Sequence, residues 1–227
     1  MATHKSYQLG HPVSRDLDWG KIALYNILWA PLRIFFNFFA RLEVESKEDL
    51  ASLEGPLIVA SSHGSWSDSF IIGISFPFGA KSFPIRYATL WKYYYFPLFT
   101  FPLWLLGNFP VRKGIGLENS LAVPIKILKR SGVIGIFPTG KRVRNWNRSE
   151  KPQPKRGVAY LAMKTNSLVL PVKIEGNVGM KFSWFLLRKY RIKVKIGRTF
   201  YLAPKDLENK EELAKASGLI MEKIDAL

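Results

Sequence analysis

The sequence of 227 residues contains no cysteine. This absence excludes disulfides, thiolate nucleophiles and cysteine-ligated metal sites, so any chemistry has to use other side chains. Histidine is also scarce, with only three in the chain, and two of them, His4 and His11, stand in a polar N-terminal stretch. Catalysis by an imidazole would therefore rest on His63.

Acidic residues are few: 17 Asp plus Glu oppose 34 Lys plus Arg, a net charge of +17. This balance indicates an anionic partner, such as a membrane surface, a nucleic acid or an acidic carrier protein. Residues 141–164 carry eight basic side chains against the single acid Glu150. However, the chain has no helix-turn-helix, zinc-finger or RNA-recognition signature, so we expect no nucleic-acid partner.

The length and the 48% hydrophobic content suit one substantial core, and the chain has no internal repeat or low-complexity linker. We expect an N-terminal tail and membrane-associating helical segment at residues 1–42, followed by one folded domain at residues 43–227. Residues 1–18 carry both signs of charge, and no small-residue cleavage pattern follows them, so a cleaved signal peptide is not expected.

The apolar segment Ile22–Ala40 reads IALYNILWAPLRIFFNFFA. As a helix it would be about 28 Å long, close to the roughly 30 Å hydrocarbon thickness of a bilayer. Asn26, Arg33 and Asn37 would fall within roughly 40° of one another, which predicts a narrow polar stripe. Together with Pro31, a predicted kink, the stripe favours a helix half-sunk in one leaflet over a crossing helix. The alternative is a buried core helix.

After this segment, short apolar runs alternate with helical patterns. Strands are predicted at Pro56–Ser62, 83–88, Val133–Phe137, 168–174 and 191–197, and helices at 65–74, 117–130, 157–164 and 207–227. The continuous apolar run at Pro56–Ser62 is typical of a parallel strand covered on both faces. The order predicts an α/β fold with a mixed, largely parallel sheet layered with helices.

The turn after the first of these strands, Ser61-Ser62-His63-Gly64-Ser65-Trp66-Ser67-Asp68, holds the candidate chemistry. Sites in open α/β sheets lie at the carboxyl ends of strands. A histidine can take a proton from an alcohol at neutral pH, and a carboxylate on its other nitrogen fixes the tautomer. Within one helix the two side chains would point about 140° apart, so His63 must precede the helix, with Gly64 as the bend. Alternatively, Ser65 and Asp68 form only a helix capping box.

Four ordered blocks in the chain resemble those of the lysophosphatidic acid acyltransferases and their glycerophospholipid acyltransferase relatives. Ser62–Asp68 fits the first block, [Asn/Ser]-His-x-Ser-x-x-Asp, at every marked position, and Gly107–Arg112 is similar to the second with the arginine one place early. Phe137–Arg142 reads Phe-Pro-Thr-Gly-Lys-Arg where the family has Phe-Pro-Glu-Gly-Thr-Arg. The basic-plus-glycine step Lys155–Gly157 precedes a Val-x-Pro-Val strand at Val169–Val172.

The resemblance implies an enzyme of phospholipid biosynthesis, a membrane-associated O-acyltransferase acting at the cytoplasmic face. It would move a fatty acyl chain from acyl-CoA or acyl-carrier protein to a lysophospholipid hydroxyl, with 1-acylglycerol-3-phosphate giving phosphatidic acid as the leading reaction. His63 would be the general base and Asp68 its orienting partner, without a covalent intermediate, a metal or a cofactor. The acceptor phosphate would be held by Arg112, Lys113, Thr139, Gly140, Lys141 and Arg142.

The third block departs from the family in a way that bears on the acceptor. Thr139 replaces a glutamate and Lys141 replaces a neutral threonine, so the local charge rises by two. A more cationic pocket favours a more anionic acceptor, so another anionic lipid acceptor is the alternative reaction. A hypothesis of a different class is a non-catalytic basic protein that binds membranes or nucleic acid.

Two further stretches suit a lipid substrate. Residues 91–106 are rich in aromatic side chains but broken by Pro97 and Pro102, which predicts a lining for an acyl groove rather than a spanning helix. Residues 180–198 carry seven basic residues, no acid and several aromatic side chains, a pattern typical of the membrane interface. Core packing is the alternative for these aromatic side chains.

Overall fold

A computed structural model describes residues 18–90, 94, 100, 103–111, 116–143, 153–179, 188–203 and 206–227. The helices are α1 (Asp18–Ala40), α2 (Asp68–Ser75), α3 (Leu117–Lys129), α4 (Gly157–Thr165) and α5 (Lys210–Asp225). The strands are β1 (Glu43–Ser46), β2 (Leu57–Ser61), β3 (Ile85–Leu90), β4 (Phe109–Val111), β5 (Val133–Ile136), β6 (Leu168–Glu175) and β7 (Lys193–Ile196).

In the described part of the chain the seven strands form one sheet in the order β1-β7-β6-β2-β5-β3-β4. Every neighbouring pair is parallel except β6 and β7. The predicted mixed, largely parallel sheet is thus confirmed. Strand β2 is buried along its whole length because α1 and α2 cover one face of the sheet while α3, α4 and α5 cover the other.

Some element bounds differ from the sequence prediction. Helix α2 begins at Asp68 instead of residue 65, because the hydroxyls of Ser65 and Ser67 bond to each other in a preceding turn. Strands β1 and β4 were not predicted. Strand β1 is polar and mostly exposed at the sheet edge, and β4 has three residues, so neither carries a readable hydrophobic pattern. The predicted alternation of β7 is confirmed by its burial.

Helix α1 continues through Pro31 and presents an apolar face away from the domain. Four large side chains on this face are mostly exposed: Trp19 (74%), Ile27 (70%), Ile34 (68%) and Phe38 (54%). Trp19–Ala40 is the one helix in the described part of the chain that is long and apolar enough to cross a membrane, judged by length and composition alone. The opposite face contributes Phe36 and Ala40 to the core.

Two members of the predicted polar stripe on α1 bond to the domain. The Arg33 guanidinium donates to the Ile74 carbonyl at 2.8 Å, and the Asn26 carboxamide oxygen accepts from the Gly79 amide at 3.0 Å. The Trp29 indole also donates to the Phe76 carbonyl at 2.7 Å. Asn26 and Arg33 of the polar stripe therefore face the domain, because the segment that ends α2 offers them backbone partners.

Candidate active site

The parallel strands β6, β2, β5, β3 and β4 end at the same edge of the sheet. The segments that leave three neighbouring strands there carry polar side chains: His63 after β2, the turn from Phe137 after β5, and Asn177 after β6. Crevices at the carboxyl ends of strands are the usual ligand sites of open α/β sheets. The topology thus brings together residues that are far apart in sequence.

His63 and Asp68 form a hydrogen-bonded pair at this edge. The Nδ1 atom of His63 lies 2.8 Å from Oδ2 of Asp68, and His63 precedes α2, as the spacing of the two residues required. Asp68 is fully buried, whereas the His63 side chain is 19% exposed. The carboxylate also accepts from the backbone amides of Gly64 (2.8 Å) and Ser65 (2.9 Å). An imidazole held through Nδ1 and open on its other side is suited to general-base work.

The capping-box alternative describes only part of this geometry. Asp68 does accept from the Ser65 amide, but the Ser65 hydroxyl bonds to Ser67 rather than to the amide of Asp68. The residue at the N-cap of α2, Ser67, makes no side-chain capping bond. Asp68 therefore satisfies backbone donors and holds the imidazole at the same time.

Asn177 is a member of the site that the sequence did not predict. Its Nδ2 atom donates to Oδ1 of Asp68 at 2.6 Å, and both side chains are buried. Asn177 follows the glycine that comes after β6. A Gly-Asn step directly after a parallel strand is a weak signal that could have drawn attention to it.

A stack of aromatic rings supports the imidazole. The rings of His63 and Phe137 are 3.9 Å apart and nearly parallel (13°), and Tyr87 lies behind Phe137 at 5.8 Å (22°). Gly135 leaves room for this stack, because a Cβ atom there would lie 2.1 Å from the Tyr87 ring. Burial raises the pKa of the Tyr87 hydroxyl well above its ordinary value, and nearby Tyr25 and Asp68 raise it further. The stack therefore rests on a neutral phenol.

The turn after β5 carries cations beside His63. The Val143 amide donates to the His63 carbonyl at 2.7 Å, so this turn is attached to the histidine segment. Lys141 and Arg142 are exposed and line the same groove as His63. Lys155 lines it too, since its amide donates to the Pro138 carbonyl at 2.7 Å. The sequence analysis assigned Lys155 to the basic-plus-glycine step before β6 but not to the site.

The predicted binding residues divide into three groups. Gly140, Lys141 and Arg142 line the groove. Thr139 is only 1% exposed, and its hydroxyl donates to the Lys141 carbonyl at 2.7 Å, so its side chain closes the turn instead of lining the groove. Arg112 and Lys113 lie outside the described residues, although β4 ends at Val111 on the same sheet edge.

The groove itself has a volume of about 1540 Å³ and is lined by both cations and apolar side chains. Its lining includes His63 and the three cations, and also apolar residues of α1 and α2: Leu28, Trp29, Leu32 and Phe70. From the aromatic stretch 91–106, Leu103 and Leu106 line it, while most of the remaining residues lie outside the described part. A groove that combines an imidazole, cations and apolar side chains suits an anionic amphiphile.

Within the described residues, no group of three or more histidine, aspartate or glutamate side chains is placed to hold a metal ion. In the described part of the site the chemical groups on offer include the imidazole, the carboxylate and the cations.

The sequence is similar to those of known acyltransferases. An acyltransferase family model matches residues 41–175. The chain is 26% identical over 205 residues to a 1-acyl-sn-glycerol-3-phosphate acyltransferase of Bacillus subtilis (strain 168), covering 90% of this chain and 96% of the relative. It is 24% identical over 176 residues to a chloroplastic 1-acyl-sn-glycerol-3-phosphate acyltransferase of Arabidopsis thaliana, covering 74% of this chain and 46% of that relative.

The fold is similar to that of a solved structure. The crystal structure of the 1-acyl-sn-glycerophosphate acyltransferase PlsC from Thermotoga maritima superposes with a TM-score of 0.64 at 20% sequence identity. The match covers 94% of this chain and 83% of the solved chain. At this level of identity the likeness establishes the fold.

Proposed function

This chain belongs to the acyltransferase family, and we propose that it transfers a fatty acyl chain from acyl-CoA or acyl-carrier protein to 1-acylglycerol-3-phosphate, giving phosphatidic acid. The observation that carries this proposal is the His63–Asp68 pair, 2.8 Å between Nδ1 and Oδ2, in a groove lined by cations and apolar side chains. The acceptor carries the complementary groups: a phosphate for the cations, a free hydroxyl for the imidazole and an acyl chain for the apolar side chains.

In the proposed mechanism His63 is the general base and Asp68 its orienting partner. With Nδ1 bonded to Asp68, Nε2 takes the proton of the acceptor hydroxyl while the hydroxyl oxygen attacks the thioester carbonyl carbon. The ester bond forms, the carbon–sulfur bond breaks, and the imidazolium returns the proton to the departing thiolate. The Asp68 carboxylate stabilises the imidazolium during the transfer. No covalent acyl-enzyme is needed, consistent with a chain that lacks cysteine.

Lys141, Arg142 and Lys155 are the proposed binding groups for the acceptor phosphate. A phosphate monoester carries close to two negative charges at neutral pH, and charge-assisted bonds to fixed cations bind it strongly. The Thr139 hydroxyl is occupied by the Lys141 carbonyl, so the turn keeps its shape without the glutamate that the family has there. Because this turn is more cationic than the family pattern, another anionic lipid acceptor is the alternative.

We further propose that α1 attaches the protein to the cytoplasmic face of a membrane, where the acyl thioester donors are available. Its exposed apolar face would enter the bilayer, while Asn26 and Arg33 are already bonded to the domain. The Arg188 guanidinium lies 4.6 Å over the Phe38 ring, which places a cation beside the apolar face at its C-terminal end. Such a cation suits an anionic headgroup layer.

The catalytic pair predicts that His63→Ala eliminates acyl transfer, since a positioned base usually contributes about 10²- to 10⁴-fold, and that Asp68→Asn lowers kcat strongly, because a carboxylate no longer orients the imidazole. Thiol release from acyl-CoA in the presence of 1-acylglycerol-3-phosphate measures both. Asp68→Asn is preferable to Asp68→Ala, because alanine would leave buried donors from Gly64, Ser65 and Asn177 without an acceptor.

The matched control for these variants is Asp206→Ala, which removes an exposed carboxylate that also accepts from a backbone amide, that of Glu208. It should leave the rate unchanged. Circular dichroism and thermal unfolding establish that each variant is folded. A folded His63→Ala protein with near-normal turnover would falsify the proposed mechanism.

The proposed phosphate site predicts that Lys141→Ala, Arg142→Ala and Lys155→Ala each raise the KM for 1-acylglycerol-3-phosphate on the order of ten-fold or more, with a smaller effect on kcat. Lys215→Ala, at an exposed position on α5, is the control and should change neither. The same variants are measured with 1-monoacylglycerol, which lacks the phosphate. An equal rise in KM for both acceptors would show that these cations do not bind the phosphate, and a wild type that prefers another anionic lipid would favour the alternative acceptor.

The membrane proposal predicts that the double variant Ile27→Asn, Ile34→Asn floats with anionic liposomes less than the wild type, and that salt detaches what remains bound. The wild type should stay bound in high salt. Leu219→Asn, which also replaces an exposed apolar side chain but on α5, is the matched control. Deleting residues 1–40 is a poorer test, because Phe36 and Ala40 belong to the core. Equal flotation of the double variant and the wild type in high salt would contradict the proposal.

A further inference from the structure

The Asp68 carboxylate is held at both of its oxygens. Oδ2 accepts from Nδ1 of His63 and from the amides of Gly64 and Ser65. Oδ1 accepts from Nδ2 of Asn177 at 2.6 Å. Bonds to one oxygen alone leave the carboxyl group able to turn about that oxygen, whereas a donor at the second oxygen fixes the plane. Asn177 is the side chain that supplies this second restraint.

The turn that follows β6 places Asn177 at this position. Strand β6 ends at Glu175, and Gly176 then takes a positive φ of 77°. A Cβ atom on Gly176 would lie 1.8 Å from the Arg191 carbonyl oxygen, so the turn requires glycine. The Ser62 hydroxyl accepts from the Ile174 amide at 2.8 Å, which ties the ends of β2 and β6 together beside the site.

Gly64, which lies against the Asn177 amide, also has to be a small residue. A Cβ atom on Gly64 would lie 3.0 Å from Oδ1 and 3.1 Å from Nδ2 of Asn177. The glycine after His63 therefore leaves the space that the Asn177 side chain occupies. Asn177 is 1% exposed, so its amide is held inside the protein beside Asp68.

We propose that Asn177 is a positioning residue for acyl transfer, which acts through Asp68 to keep the His63 imidazole in its working orientation. This inference rests on the proposed function. A neutral amide is suited to the role, because it donates to the carboxylate without cancelling the negative charge that stabilises the imidazolium. Asn177 makes no contact with substrate in this account, so its effect falls on the chemical step and not on binding.

The test compares Asn177→Ala with Asn209→Ala. Asn209 caps α5 and accepts from the amides of Glu211 and Glu212, so its loss also removes hydrogen bonds and lowers stability, but at a distance from the site. We expect Asn177→Ala to lower kcat ten-fold or more with the KM for donor and acceptor changed less than two-fold. Asn209→Ala should leave kcat per folded molecule unchanged. Equal kcat values in Asn177→Ala and wild type, or a loss confined to KM, would overturn the inference.

A double-mutant cycle with Gly64→Ala adds a second criterion. If the new methyl group acts by displacing the Asn177 amide, Gly64→Ala lowers kcat in the wild type but has little further effect on kcat in the Asn177→Ala protein. If the two substitutions instead lower kcat by factors that multiply in the double variant, the two positions do not share this contact, and the inference is contradicted.

A spectroscopic readout separates failure of this inference from failure of the proposed function. In protein labelled with ¹⁵N at histidine, the Nδ1–H signal of His63 should be sharp in the wild type and in Asn209→Ala, and broadened or lost in Asn177→Ala. This measurement needs no substrate, so it holds even if the wild type does not use 1-acylglycerol-3-phosphate. An unchanged Nδ1–H signal in Asn177→Ala would contradict the positioning role.

Discussion

The buried carboxylate of Asp68 is the constraint on which the site depends. Its two oxygens accept from the imidazole of His63, two backbone amides and the side chain of Asn177. A buried carboxylate without such donors would be costly, so the surrounding segments must converge on it. They can converge because β2 lies between β5 and β6 in the sheet, with all three strands parallel. The order of the strands therefore determines which side chains meet at their carboxyl ends.

The sequence was sufficient to predict a mixed, largely parallel sheet, five of its strands and the His63–Asp68 pair, because continuous apolar runs and the histidine–aspartate spacing are local signals. The contact of Asn177 with Asp68 could not be predicted, since it joins residues 109 positions apart and depends on which strands are neighbours. The inward orientation of the Thr139 side chain could not be predicted either, because its hydrogen-bond partner is a backbone carbonyl that only the folded turn presents. Strand β1 gave no signal because its residues are polar and exposed.

Helix α1 links the site to the proposed membrane attachment. Its inner face supplies Leu28, Trp29 and Leu32 to the wall of the groove, while its outer face exposes Ile27 and Ile34. The polar groups near the boundary of the two faces bond to the domain at Ile74 and Gly79. One helix can thus contact lipid on one side and line the groove on the other, which would give an amphiphilic acceptor a short path from bilayer to base.

In the proposed reaction His63, held by Asp68, activates the lipid hydroxyl for direct attack on the thioester. The most direct test mixes the wild type with radiolabelled acyl-CoA or acyl-carrier protein, with and without 1-acylglycerol-3-phosphate, and follows label in protein and in lipid. We expect the labelled acyl chain to enter phosphatidic acid only when the acceptor is present, in step with thiol release, and no label to become covalently bound to the protein. Thiol release without acceptor, accompanied by stoichiometric acylation of the protein, would contradict this mechanism.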